Sequence, residues 1–399
     1  MRVLIAGAGI GGLTAALALQ ARGFEVAVYE HAPALEEVGA GLQLGPNATR
    51  VLIRLGLGEA LRRVAWTPPA ADMRMGDSGR VIFSLPLGER MERQYGAPYY
   101  QLHRADLQGL LVEALNRVAP EALHLGKELR EVGQSEQGVS FGFVDGDWAK
   151  GDLAVGADGV RSVVRQELFG ASEVRYTGMA AWRVTVPAER LPSGLVPGNA
   201  TVWVGEKKHV VTYYLRGGTL VNLVGVVEED EWPYDGWTSL AGQQDILKDY
   251  RGWHPVVTGI LEAAGDDIEY FKWALRDLPA LPHWSSGRVT LLGDACHPML
   301  PFMAQGAGMA IEDAWVLADC LSSGSGNTAA ALRRYEQRRK PRATRLQEVS
   351  RRNGKLYHLG TSLSRRWLYA PLAGVSRLAP GFFAGQLDWL YGEDVTRGD

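Results

Sequence analysis

Two side chains suited to acid–base chemistry stand four residues apart in the run His209-Val210-Val211-Thr212-Tyr213. Its β-branched composition is that of a strand, where residues four apart point to one face, about 13 Å apart along it. His209 and Tyr213 can therefore line one pocket. A histidine, with an unperturbed pKa of about 6.5, is the natural base toward a phenol near neutral pH. Such assistance contributes roughly 10²- to 10⁴-fold in rate. Core packing is the ordinary alternative for a His–Tyr pair on a strand.

A second group of residues points to a large phosphorylated ligand. Gly7-x-Gly9-x-x-Gly12 follows the apolar run Val3-Leu4-Ile5-Ala6 and opens the Ala- and Leu-rich segment from Leu13 to Arg22. The first glycine makes the turn, the second admits a pyrophosphate, and the third allows close helix–strand packing. The helix start adds amide donors and the positive end of its dipole. Glu30 ends the next strand, where an acid accepts a ribose hydroxyl hydrogen bond. This pattern predicts a dinucleotide but does not separate FAD from NAD.

A third run separates them. Val289 to Leu292 is an apolar strand ending in Gly293-Asp294-Ala295, followed by His297-Pro298 and then by Gly306-Ala307-Gly308 at a helix start. Asp294 at a strand end can accept hydrogen bonds from ribityl hydroxyls. The glycine-rich helix start offers amides to the flavin pyrimidine edge, where reduced flavin carries negative charge. Gly156-Ala157-Asp158-Gly159-Val160-Arg161 also joins a strand to a helix. Asp158 or Arg161 touching ligand, and a simple capped turn, both remain open there. His297 reads as a structural hydrogen-bonding residue, and Cys296 as packing beside the cofactor.

The elements that must position these residues alternate in type. The first 30 residues read as a βαβ unit. Val51 to Val64 reads as one helix, residues 71 to 100 as short strands and loops, and 104 to 118 as an amphipathic helix. Tyr176 to Trp273 alternates Val, Thr, Tyr and Trp in the manner of an antiparallel sheet inserted between α/β parts. The expected fold is α/β: a Rossmann-like FAD-binding domain from residues 1–70, 101–175 and 279–345. A substrate domain takes 71–100 and 176–278 over a mainly antiparallel β-sheet, and 346–399 forms a helical C-terminus. Ser322 to Gly326 reads as a flexible turn, and the basic tract from Arg333 to Lys355 as a solvated face of two helices around Pro341, or else a nicotinamide docking surface.

Composition excludes several classes. A net charge of -3 gives no reason to expect nucleic acid or an anionic membrane as partner. Two cysteines among 399 residues exclude a disulfide framework and fit a reducing compartment. The eight histidines show no metal-ligand spacing, so no metal is expected. Val3 to Leu19 is apolar enough to pass for a signal peptide, but its central glycine cluster favours strand, turn and helix. With no other membrane-length stretch, the expected location is cytoplasmic. The oligomeric state stays open, a homodimer included.

The three motifs in this order resemble the para-hydroxybenzoate-hydroxylase-like flavoprotein monooxygenases. Gly39-Ala40-Gly41 running into Pro46-Asn47-Ala48, and His103-Arg104-x-Asp106-Leu107, extend the resemblance. The run from Asp294 through Met303-Ala304-Gln305-Gly306 to Glu312-Asp313 resembles the branch of salicylate hydroxylase, 3-hydroxybenzoate 6-hydroxylase and 6-hydroxynicotinate 3-monooxygenase.

The resemblance implies one non-covalent FAD, NADH as co-substrate, oxygen activated as a flavin C4a-hydroperoxide, and a small aromatic substrate in aromatic catabolism. It implies that Gly7, Gly9, Gly12 and Glu30 hold the AMP half and that Leu129 adds backbone at the adenine. Arg104 reaches the FAD, Asp294 binds the ribityl chain, and Gly306, Ala307 and Gly308 face the isoalloxazine. His209 becomes the base and Tyr213 a substrate contact. Pro301-Phe302 departs from relatives that carry polar side chains there. An FAD-dependent reductase or dehydrogenase, and a non-catalytic flavin sensor, are the alternative functions.

Overall fold

The computed structural model describes residues 1–35, 41–170, 174–234, 236–323, 327–359, 367, 369–374 and 385–397. Gly39-Ala40 and Gly324 to Gly326, both singled out in the sequence, lie outside the described residues.

A six-stranded sheet carries the glycine motifs. Its order is β18 (Ser285–Ser286), β19 (Val289–Leu291), β11 (Leu153–Gly156), β1 (Arg2–Ala6), β2 (Glu25–Tyr29) and β7 (Leu123–His124). All neighbours are parallel except β18 and β19. Val3, Leu4 and Ile5 are buried on both faces, which is why β1 reads as an unbroken apolar run. Helix α1 (Ile10–Gln20) packs against α5 (Arg104–Val118) and α9 (Gly306–Ser322). A small antiparallel sheet of β10 (Trp148–Gly151), β9 (Gly138–Phe143) and β8 (Leu129–Ser135) flanks this part.

The second large sheet has eight strands. They run β16 (Thr238–Ala241), β17 (Tyr270–Asp277), β12 (Arg175–Pro187), β15 (Leu220–Glu228), β14 (Lys208–Leu215), β13 (Ala200–Gly205), β4 (Ala70–Met75) and β5 (Val81–Pro86). Only β13 and β4 pair in parallel. Helix α8 (Pro255–Ala264) packs on β12 and on α7 (Gln243–Asp249), burying Val257, Ile260 and Leu261. The two-stranded pair β3 (Gly41–Leu44) and β6 (Tyr100–His103) stands near β14. The α/β expectation with an antiparallel sheet and a helical C-terminal region holds.

Three local expectations need correction. The helix read across 51–64 is two, α2 (Pro46–Arg54) and α3 (Gly58–Val64), because Gly56 turns the chain at φ +85. Within residues 71–100 a helix, α4 (Gly88–Tyr95), appears; only Met91 of it is buried, so it lacks an apolar stripe. The basic tract is one helix and not two, with Arg333, Arg334, Arg345, Arg352 and Lys355 exposed on a solvated face and Arg339 buried. Helix α10 (Thr328–Tyr357) runs through Pro341.

The missing proline amide is tolerated because contacts pin both sides of it. Arg338 pairs with Asp319 at 2.7 Å, and buried Arg339 pairs with Glu312 and Asp313, each at 2.7 Å. Beyond the proline, Arg342 reaches Glu312 at 2.8 Å and Leu346 is buried. Among the described residues no helix is long and apolar enough to cross a membrane.

Candidate active site

The chain leaves β1 into Gly7 at φ +97, where a Cβ would stand 2.5 Å from the Ala157 carbonyl oxygen. At Gly12 a Cβ would sit 2.0 Å from the Gly7 oxygen, so α1 closes directly on the turn. Gly9, by contrast, faces open space and caps α1 without a side-chain hydrogen bond, leaving amides bare. Glu30 accepts the Ala8 amide at 2.8 Å and the Ala32 amide at 3.1 Å, tying the end of β2 to this loop.

Arg104 is the first residue of α5, exposed, under the His103 cap. Its charge is felt at Asp294, far away in sequence. Burial raises the Asp294 carboxyl above the usual range, while His297 and Arg104 oppose that shift. The Asp294 side chain is nonetheless open on the cavity side, although protein surrounds it. Bare amides at α1, room at Gly9 and an open carboxylate within electrostatic reach of Arg104 fit the phosphates and ribityl chain of FAD.

Asp158 accepts the Val164 amide at 3.1 Å, and its second oxygen is buried without a protein partner. Arg161 lies over the Trp237 ring at 4.8 Å. Leu129 opens β8 on the small sheet, outside the cavity lining.

A cavity of about 470 Å³ lies between the eight-stranded sheet and the N-terminus of α9. His209, Tyr213, Asp294, Gly306 and Ala307 all line it, so the structure brings five of the residues singled out in the sequence around one space. Gly308 does not line it; it packs against Ala48 and Asn47. The start of α9 is held by Asn47, whose amide donates to Glu312 at 2.6 Å, and Glu312 in turn binds Arg339 and Arg342.

His209 is buried, with the Phe302 ring edge-on at 5.4 Å and Tyr357 at 5.2 Å. Burial, helped by the nearby His358, holds its imidazole well below the ordinary histidine range. Burial keeps the Tyr213 phenol protonated, with Arg183 pulling weakly the other way. The apolar Pro301-Phe302 stretch forms a short 3-10 turn in the cavity wall.

His297 bonds Asp313 at 2.5 Å and stacks obliquely on Trp284, which suits a structural role. Cys296, His297 and Asp313 offer ligand atoms within 4.8 Å of one another. With Arg339 on the same carboxylate and burial keeping the Cys296 thiol protonated, they form a hydrogen-bond network better than a cation site.

Sequence reasoning missed Arg183, Gln43, Tyr99 and Asn353, which also line the cavity. Arg183 stands on β12 over the Trp273 ring at 5.2 Å and has no carboxylate partner among the described residues. The available signal was a lone charge inside the apolar strand run Ala180-Ala181-Trp182-Arg183-Val184.

Fold and site together define a flavin-dependent aromatic hydroxylase, and comparison with known proteins agrees. Residues 1–350 match the family described as an FAD binding domain. The chain is 38% identical over 356 residues to 6-hydroxynicotinate 3-monooxygenase of Pseudomonas fluorescens, covering 88% of this chain and 91% of that one. It is 36% identical over 395 residues to 3-amino-4-hydroxybenzoate 2-monooxygenase PtmB3 of Streptomyces platensis, covering 99% and 96%. The solved structure of Klebsiella pneumoniae HpxO complexed with FAD and uric acid aligns at TM-score 0.84 and 28% identity, over 97% of each chain. The chain belongs to the FAD binding domain family, and the resemblance carried by its motifs holds.

Proposed function

We propose that this enzyme hydroxylates a small phenolic aromatic acid of the hydroxybenzoate or hydroxynicotinate type, using NADH and O₂. The observation that carries this reading is the shared cavity of His209 and Arg183: one neutral base and one unpaired cation on the wall of a space of about 470 Å³. FAD, once bound and reduced, would activate O₂ as the electrophile. Gly7, Gly9, Gly12 and Glu30 would hold its AMP half, Arg104 and Asp294 its middle, and Gly306 and Ala307 its ring edge. We further assign residues 1–70, 101–175 and 279–345 to the FAD-binding domain, and 71–100 with 176–278 to the substrate domain.

In this reading Arg183 binds the substrate carboxylate by charge-assisted hydrogen bonds. His209, neutral because it is buried, accepts the phenol proton. The phenolate then feeds electron density to its ortho and para carbons and makes them the nucleophilic positions of the ring. Tyr213 donates to the substrate, since burial keeps its own proton in place. The apolar wall from Phe302, Val211 and Leu85 keeps water from the reacting carbon.

A panel of hydroxybenzoates and hydroxynicotinates, scored for NADH oxidation and product mass, tests the proposal. Substrate-triggered NADH consumption with a product one oxygen heavier is expected, and kcat/KM should favour NADH over NADPH. NADH consumption that no aromatic stimulates, with no oxygenated product, would overturn it.

A further inference from the structure

Behind the cavity wall, polar groups continue outward from His209 in one line. His209 Nδ1 lies 2.7 Å from His358 Nε2, and His358 Nδ1 lies 3.1 Å from Glu228 Oε1. Both histidines are buried, whereas the Glu228 side chain is 36% exposed, so the line begins at the cavity and ends at solvent. Three elements supply it. His209 is on β14, His358 follows the last turn of α10, and Glu228 is the final residue of β15. In the β14–β15 register His209 faces Val226, and Glu228, two residues on, projects from the same side of the sheet.

One tautomer assignment satisfies every contact. Each histidine carries its proton on Nδ1, so His209 donates to His358 and His358 donates to the Glu228 carboxylate. This leaves His209 Nε2 an unprotonated acceptor, bonded to none of the described residues. Burial holds both imidazoles below their ordinary range, so neither is suited to retain a proton received from a phenol. A proton accepted at Nε2 returns to the substrate unless it is passed on.

We propose that His209, His358 and Glu228 form a proton relay that carries the substrate's phenolic proton out of the closed cavity to solvent. The proposal rests on the reading of His209 as the base. The phenol O–H bond breaks as a bond to His209 Nε2 forms. His209 then gives its Nδ1 proton to His358 Nε2, and His358 gives its Nδ1 proton to a Glu228 oxygen. Glu228 releases that proton to water. One proton enters and one leaves, no residue changes oxidation state, and both imidazoles end protonated on Nε2. A proton returning along the same line to the product phenolate restores the starting tautomers. His358 and Glu228 are thus positioning and relay residues, and only His209 meets the substrate.

The two tyrosines against this line keep their protons through the working range. Burial raises the Tyr357 phenol, on α10, to about 12, and that of Tyr250, whose hydroxyl donates to the His209 carbonyl, well above its usual value. Lys208 points to the opposite face of β14 and donates to the Asp249 carbonyl.

The test uses FAD-loaded enzyme and an aromatic acid that the parent hydroxylates. Product formed per NADH and the rate of flavin reduction are measured from about pH 6 to about pH 9. His358→Gln and Glu228→Gln should keep the reduction rate and the substrate KM. Their product per NADH should fall near neutrality by about tenfold, less than the roughly 10²- to 10⁴-fold of full base assistance because His209 itself is kept. It should recover toward the parent as rising pH ionises the phenol before it binds, and Glu228→Asp should restore part of it. Parent-like yields at every pH in both Gln variants, beside a His209→Ala variant that loses yield, would overturn the relay and leave His209 as the base. An unchanged yield in His209→Ala would remove the base, and the relay with it. Should His358→Gln not fold, Glu228→Gln at the solvent end decides alone. A stability loss with a pH-independent yield in that variant overturns the relay.

Discussion

Gly41 lies so close against Tyr213 that a Cβ built on it would stand 2.5 Å from the ring Cε2 and 2.7 Å from the hydroxyl. The Gly41 amide also donates to Asn222 Oδ1 at 3.2 Å, and Asn222 is the strand partner of Tyr213. The start of β3 is therefore clamped onto Tyr213 and its strand partner. Gly41→Ala should push the Tyr213 ring into the cavity. Overpacking of this kind typically costs about 1–3 kcal/mol. The expected result is a raised KM for the aromatic substrate with FAD affinity unchanged. Steady-state kinetics and an FAD titration check it; an unaltered KM would mean that the ring yields without affecting the substrate.

Arg183 gives a sharper test of what the cavity reads. Removing a charge-assisted hydrogen bond typically loses about 1.5–3 kcal/mol. Arg183→Met should therefore weaken a carboxylate-bearing phenol by roughly 10- to 100-fold. The same phenol without its carboxylate should bind parent and variant alike. Equilibrium titrations followed by flavin absorbance measure both. Equal losses for the two ligands would show that Arg183 shapes the cavity and does not read the acid.

Asp294 is expected to act on the cofactor. Its open carboxylate near Arg104 suits ribityl hydroxyls, so Asp294→Ala should weaken FAD retention by about 1.5–3 kcal/mol. Fluorescence titration of apo-protein with FAD provides the value. A parent-like Kd would take the residue out of the cofactor site.

What could be read in the sequence was what local backbone chemistry dictates. The Gly7 and Gly12 positions are legible because a Cβ at either would meet backbone atoms. Helix α5 matches the 104–118 reading because its apolar positions lie within the segment and its capping residue, His103, directly precedes it. His209 and Tyr213 come to one cavity because strand alternation is itself local. The continuity of α10 through Pro341 was not legible, since ion pairs to α9 override a proline whose sequence signal is a break. His358, Glu228 and Arg183 belong to three separate elements and to no motif; only tertiary packing brings them toward His209 and its cavity.

Stability should depend on pH through the same buried imidazoles. Burial is the main cause holding His209 and His358 below the ordinary value, with Glu228 partly opposing it at His358. In the unfolded chain each would bind a proton near pH 6.5, before its folded counterpart does. Over that window the unfolded state holds more protons, so stability rises with pH and is complete above about 6.5. As pH falls below 6.5, each histidine removes up to about 1.4 kcal/mol per pH unit until its folded pKa is reached. Burial is the largest single influence on Glu312 and Asp313 and raises both, but their partners together outweigh it and hold them low: Arg339 and Arg342 at Glu312, His297 and Arg339 at Asp313. Their contribution is present above the unfolded carboxylate range of about 4 and is lost at still lower pH, so the two effects separate. With FAD in fixed excess, the Tm of the parent should be flat from about pH 8 to 7 and decline below about 6.5. A His209→Phe, His358→Leu double variant should flatten that decline between about pH 6.5 and 5. If it retains the parent's full slope, the acid sensitivity lies elsewhere. His124, whose imidazole burial also lowers, would then be the next residue to replace.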